Sequence, residues 1–130
     1  MKKLIRVLVA LLSGISAWSC GESTAPTSRD VIGRYEIVTV NAKSLPLRLS
    51  DTLSLVSSSM DLLPDNSYRE TITYDRTGRE IVYNYSGVFV SDGSLVVVET
   101  STGQGFNLSV ANKRTLIEND ENGLVVYVKR

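Results

Sequence analysis

From Val31 onward, apolar side chains recur at every second position, and short turn signatures interrupt them about every 10–12 residues. No window longer than ten residues keeps helical spacing free of turn residues. A chain patterned this way buries one face of each segment only as sheet. In the first segment, Gly33, Tyr35, Ile37 and Thr39 share a face, with Arg34 and Glu36 opposite, before NAKSLP interrupts it. Residues 52–63 read as one strand or two. Leu53 and Leu55 carry odd numbers, Met60 and Leu62 even ones, and this switch predicts a bulge or break near Ser58.

The turns are legible residue by residue. PDNS at 64–67 combines a proline that pre-sets φ with Asp and Asn, which tolerate left-handed geometry. Tyr68, Ile72 and Tyr74 then share a face, with Glu70 as its charged member, and DRTGR turns the chain. Ile81, Tyr83, Tyr85, Gly87 and Phe89 form a continuous alternate stripe. SDGS at 91–94 predicts a type I′ hairpin turn. LVVVE is apolar on both faces and is expected to be covered on both. After STGQG, Phe106, Leu108 and Val110 alternate with Asn107 and Ser109. ANK turns into Arg114–Glu118, and NDENG turns into LVVYVKR.

The expected fold is all-β, with about eight antiparallel strands in an up-and-down meander. Open meanders leave two edges that closure removes, so a closed or partly closed barrel is expected. A β-sandwich is the alternative, but its Greek keys need a long crossing connection and the turns here are uniformly short. Eight strands enclose an interior just wide enough for side chains or one small ligand.

Residues 1–30 have a different character. MKKLIR is basic, and the stretch Val7–Trp18 is apolar but too short to cross a hydrocarbon core of about 30 Å. A basic start, a short apolar run and small residues before a cut describe a secretory signal over 1–19. Ala17 and Ser19 lie three and one positions before Cys20, so cleavage is expected after Ser19. Residues 20–30 are small and polar and read as a tether, leaving 31–130 as the folded domain.

Charge and composition narrow the function. Fourteen basic side chains balance fourteen acidic ones, but Lys2, Lys3 and Arg6 belong to the signal. The remainder is mildly acidic, with no basic face for nucleic acid. The absence of histidine removes the commonest general base and metal ligand. A single cysteine excludes an internal disulfide and a cysteine zinc site. No enzyme activity, metal or cofactor is expected. ENDENG at 118–123 lacks the spacing of a calcium loop and reads as a solvated hairpin tip. NYS and NLS match the glycosylation sequon but fall within expected strands.

Two resemblances add to this reading. Ala17-Trp18-Ser19-Cys20 resembles the lipobox of bacterial lipoproteins, which implies a diacylated Cys20 as the mature N-terminus; the alternative is a free thiol at the same cut. Two acyl chains give stable anchoring. Gly21, where aspartate would mark retention at the inner membrane, implies the outer membrane of the cell envelope. GRYEIVTVNAKSLP, SMDLLPDNSYRET, YSGVFVSDGSLVVVE and VVYVKR together resemble the hairpins of bacterial lipocalin-like domains. That resemblance implies a barrel holding a small apolar or amphipathic ligand. Its candidate lining is Tyr35, Ile37, Tyr68, Glu70, Ile72, Tyr74, Tyr83, Tyr85, Phe89, Phe106 and Leu108. Within this set, Glu70 is expected near the mouth, on an edge, or paired with Arg69 or a neighbouring strand. A solid-cored envelope module that docks another, unspecified protein is the alternative function.

Overall fold

The computed structural model describes residues 27–121 and 123–130; the expected signal segment and Cys20 lie outside the described residues. The strands are β1 (Gly33–Val40), β2 (Lys43–Ser44), β3 (Leu47–Arg48), β4 (Leu53–Leu62), β5 (Ser67–Arg76), β6 (Arg79–Ser91), β7 (Leu95–Thr100), β8 (Gly105–Asn112), β9 (Thr115–Asp120) and β10 (Gly123–Lys129). Strands β4 to β10 run as an antiparallel meander, and β1 fits between β10 and β4 to close an eight-stranded barrel. The short β2 and β3 are extra strands, on β1 and β4 respectively. Closure of a single sheet sets aside the sandwich.

The seam between β1 and β4 is short. It pairs Gly33 with Leu62, Arg34 with Asp61, Tyr35 with Met60 and Glu36 with Ser59. Above it, β1 pairs with β2 and β4 with β3, so the wall divides around the arm that carries these two strands. Arg34 forks onto Asp61 across the seam, at 2.8 and 3.0 Å. Both side chains face water, where an ion pair adds little. Replacing Arg34 with Gln is expected to lower the thermal midpoint slightly at low salt and not at all at high salt, as read by circular dichroism.

Of three register shifts, in β4, in β1 and between Val110 and Asn112 of β8, the first two decide which residues of those strands face inward. The one in β4 falls between Leu55 and Ser57, close to the expected position, so Leu55, Ser58, Met60 and Leu62 all turn inward. The second, between Ile37 and Thr39, has no sequence signal. Thr39 is therefore not on the face of Tyr35 and Ile37: it sits opposite Val126, and Val40 sits opposite the inward Val125.

Two-residue turns with both φ positive occur at Asn41-Ala42 (50° and 65°) and Thr77-Gly78 (52° and 83°). This is the type I′ geometry that matches strand twist. Asp92-Gly93 is not of this type, contrary to expectation, because only Gly93 has a positive φ. Asp92 instead accepts hydrogen bonds from the amides of Ser94 and Leu95, which bends a longer loop.

The two barrel ends differ. At one end lie the β4–β5, β6–β7 and β8–β9 turns and the approach to β1. Residues 27–30, the end of the segment read as a tether, form a turn there in which Asp30 accepts from the Thr27 amide at 2.7 Å. Val31 enters the core, the Tyr35 hydroxyl donates to its carbonyl at 2.8 Å, and the Lys129 ammonium donates to the Asp30 carbonyl. The half of the barrel behind this plug is packed solid by Tyr35, Met60, Leu62, Phe89, Val96, Val98, Leu108 and Leu116. At the opposite end, β6 outruns its neighbour. Only Gly87–Ser91 pair with β7, and Arg79–Ser86 pair with β5 alone among the described residues.

The outer wall departs from one expectation. Val96 and Val98 of β7 are buried, but Leu95 and Val97 are open to solvent, so LVVVE is covered on one face only. Beside them on β6, Val88 and Val90 are also exposed, Val90 at 65%.

Candidate ligand chamber

All six tyrosines of the chain lie on the inner face, as the pairing registers show: Tyr35, Tyr68, Tyr74, Tyr83, Tyr85 and Tyr127. Three of their hydroxyls meet buried or half-buried acceptors. Tyr35 uses a backbone carbonyl at the plugged end. Tyr68 and Tyr127 meet carboxylates at mid-height. The Tyr68 hydroxyl donates to Glu70 Oε2, and the Ser58 hydroxyl donates to Glu70 Oε1 at 2.9 Å. The Tyr127 hydroxyl donates to Glu118 Oε2 at 3.2 Å.

Glu70 is only 7% exposed. It is therefore neither at an edge nor paired with Arg69, which faces out; of the expected placements the neighbouring strand holds, through Ser58 of β4, and Tyr68 of its own strand is the second partner. Sequence gives its parity, and so its nearness to Tyr68, but not the β4–β5 register that sets Ser58 diagonally beside it. Burial pushes the Glu70 carboxyl above the usual carboxylate range, against the two hydrogen bonds that hold it down. Glu118 is half-buried on the same inner face as Leu116, and is not part of a solvated tip as expected. Burial raises its carboxyl too, the charges of Asp120 and Glu70 add to the effect, and the Tyr127 hydroxyl opposes it. The phenols respond in kind. Burial first, then the charge of Glu70, drives Tyr68 and Tyr127 well above the ordinary phenol value, and burial takes Tyr35 to about 12. Among the described residues, no lysine or arginine hydrogen-bonds to Glu70 or Glu118.

Above this polar layer the inner face is apolar and aromatic. Ile37, Ile72, Tyr74 and Phe106 are half-buried. Tyr83 and Tyr85 are 47% and 40% exposed although they point inward, because they ride on the part of β6 that has no β7 beside it. Tyr74 meets Tyr83 edge to face at 5.8 Å, and Phe106 meets Tyr68 likewise at 5.7 Å. A cleft of about 300 Å³ enters from the side, where the seam divides, and reaches Ser58 beside Ile37 and Leu45.

The expected lining thus falls into three layers. Tyr35, Phe89 and Leu108 belong to the packed half. Tyr68 and Glu70 form the polar layer, and Ile37, Ile72, Tyr74, Tyr83, Tyr85 and Phe106 form the open one. Ser58, Glu118 and Tyr127 complete the polar layer and escaped the sequence reading. Their signal was parity: Glu118 follows Leu116 by two, and Tyr127 follows Val125 by two. Among the described residues, no group of three or more acidic, histidine or cysteine side chains is arranged to hold a metal. No protein-family model and no curated protein matches this sequence.

Proposed function

We propose that this chain is an exported lipoprotein of the bacterial cell envelope, held to the membrane by an acylated Cys20, whose barrel takes a small amphipathic ligand through its open end. The observation that carries the binding reading is the layering of the inner face. Solvent-exposed rings of Tyr83 and Tyr85 stand above the buried Glu70 carboxyl and the half-buried Glu118 carboxyl, which can donate when protonated and accept when charged. A ligand with an apolar body and a polar head matches this order, as ligand pockets combine apolar walls with a few convergent polar groups. The anchor rests on the basic start, the apolar run and the lone cysteine at the cut.

A neutral amphipathic dye, N-phenyl-1-naphthylamine, tests the binding reading. Its fluorescence is expected to rise on titration with the full chain. The paired change of Tyr83 and Tyr85 to Ser is expected to weaken binding at least about tenfold, which corresponds to about 1.4 kcal/mol. Equal binding by both proteins would remove the tyrosines from the site. No binding by either would favour the second reading, a solid-cored docking module, for which the exposed Val88, Val90, Leu95 and Val97 are the relevant surface.

A further inference from the structure

The free edge of β6 is built like a pairing strand. Natural sheet edges are blocked by lysine, proline, a bulge or a cover. Arg79–Ser86 reads REIVYNYS: it contains neither lysine nor proline, its ladder with β5 runs without a shift, and among the described residues only Ser101, at Ser86, bonds its other side. Its only charges, Arg79 and Glu80, sit at the hairpin tip. Val82 and Tyr83 are each 47% exposed at its middle.

Backbone direction can be read from its ends. The Ser101 amide donates to the Ser86 carbonyl on the β7 side, and the Phe89 amide donates to Asn66 on the β5 side. Peptide groups alternate along a strand. Glu80, Val82 and Asn84 therefore aim both their amides and their carbonyls at the empty edge, whereas the Ser86 carbonyl is already used.

We propose that this edge pairs with the same edge of a second copy, antiparallel, about a two-fold axis at Val82. Residues opposite one another in an antiparallel pair must share a face, which restricts the register to pairs of equal parity. The free stretch is Arg79–Tyr85, because Gly87 pairs with Thr100 and Ser86 bonds Ser101. Its midpoint is Val82. In that register Glu80 lies opposite Asn84 of the second copy, and Val82 lies opposite Val82, each pair exchanging backbone hydrogen bonds. On the inner face Ile81 lies opposite Tyr83, and Arg79 lies opposite Tyr85, a cation facing a ring. No like charges meet, whereas a shift that centres the axis on Glu80 or Arg79 sets like charges against each other. Strand addition of this kind takes affinity from the main chain and register from the side chains. A closed two-fold also uses up the edge, leaving nothing for further growth. Each copy then places Ile81 beside the other's Tyr83, so the two open ends share one aromatic wall.

The test uses the full chain in detergent. Sedimentation is expected to give a dimer for the native chain and a monomer for Val82→Lys, with the two circular dichroism spectra the same. Opposed hydrogen-bonded residues have Cα atoms about 5.5 Å apart, within disulfide reach. Val82→Cys is therefore expected to form a covalent dimer on mild oxidation, with mass spectrometry identifying the peptide joined at position 82. Val88→Cys, on the same outer face but beside β7, is expected to cross-link at least five times less. A monomeric native chain, a Val82→Lys variant that remains dimeric, or equal cross-linking at both positions would overturn the proposal.

Discussion

Gly87→Ala is expected to break the barrel. A Cβ at this position would sit 2.8 Å from the Thr100 Cα and closer still to the Glu99 carbonyl oxygen. Both are backbone atoms of β7, so no rotamer change relieves the collision. Gly87 is where β6 passes from its free length onto β7, and Tyr68 lies opposite it on β5. Glycine thus permits the close approach of two strands at the bend, a use that sheets make of it at tight corners. Overpacking usually costs about 1–3 kcal/mol, and a collision with unyielding backbone belongs at or beyond the top of that range. In a domain of this size each kcal/mol shifts the thermal midpoint by roughly 4–8 °C. Calorimetry is therefore expected to show a fall of more than about 10 °C, or no cooperative transition at all. Gly105, which needs no positive φ and whose added Cβ would meet only the Val98 carbonyl oxygen at 3.4 Å, is the control for steric crowding. A Gly87→Ala variant as stable as the native chain would mean that β6 does not approach β7 in this way.

The second large effect is a dependence of stability on pH, carried by Glu70. Burial raises its carboxyl in the folded chain above the value it has when unfolded. Between those two values the folded state binds more protons than the unfolded state, so stability falls as pH rises. The loss begins as pH climbs through the unfolded carboxylate value and is complete above the folded one. Glu118 contributes in the same direction. No histidine obscures the window between pH 5 and 8, since the chain has none. Urea unfolding is expected to show stability declining as pH rises above the unfolded carboxylate value. Glu70→Gln is expected to remove most of the slope and to be more stable than the native chain at pH 8. A native profile that is flat, or that rises with pH, would contradict the buried and raised carboxyl.

These two effects show what the sequence could and could not convey. Alternation and turn residues carried the meander, because each strand's buried face is written every second residue from Tyr35 to Tyr127. The bulge in β4 was legible because the apolar parity changes from Leu55 to Met60. The bulge after Ile37 was not, because Val38, Thr39 and Val40 all suit a strand on either face. LVVVE misled for a related reason: a run of valines fits a doubly covered strand and a half-bare one equally, and only the neighbours decide. The candidate chamber was legible in its wall and not in its floor. Ile72, Tyr74, Tyr83 and Tyr85 stand on two adjacent strands and could be placed by counting. Glu70 with Ser58, and Glu118 with Tyr127, are diagonal neighbours across adjacent strands, so their meeting follows from pairing registers that alternation alone does not give, and their burial depends on the whole closed sheet.

The proposed export and anchoring turn on one bond and one sulfur. Mass spectrometry of the N-terminal peptide of the chain recovered from a Gram-negative host's membranes tests both. The expected peptide begins at Cys20, carries a diacylglyceryl group on its thiol, and has lost Trp18, the chain's single tryptophan. A peptide that begins at Cys20 with an unmodified thiol, or one that still begins at Met1, would contradict the anchored envelope protein proposed here.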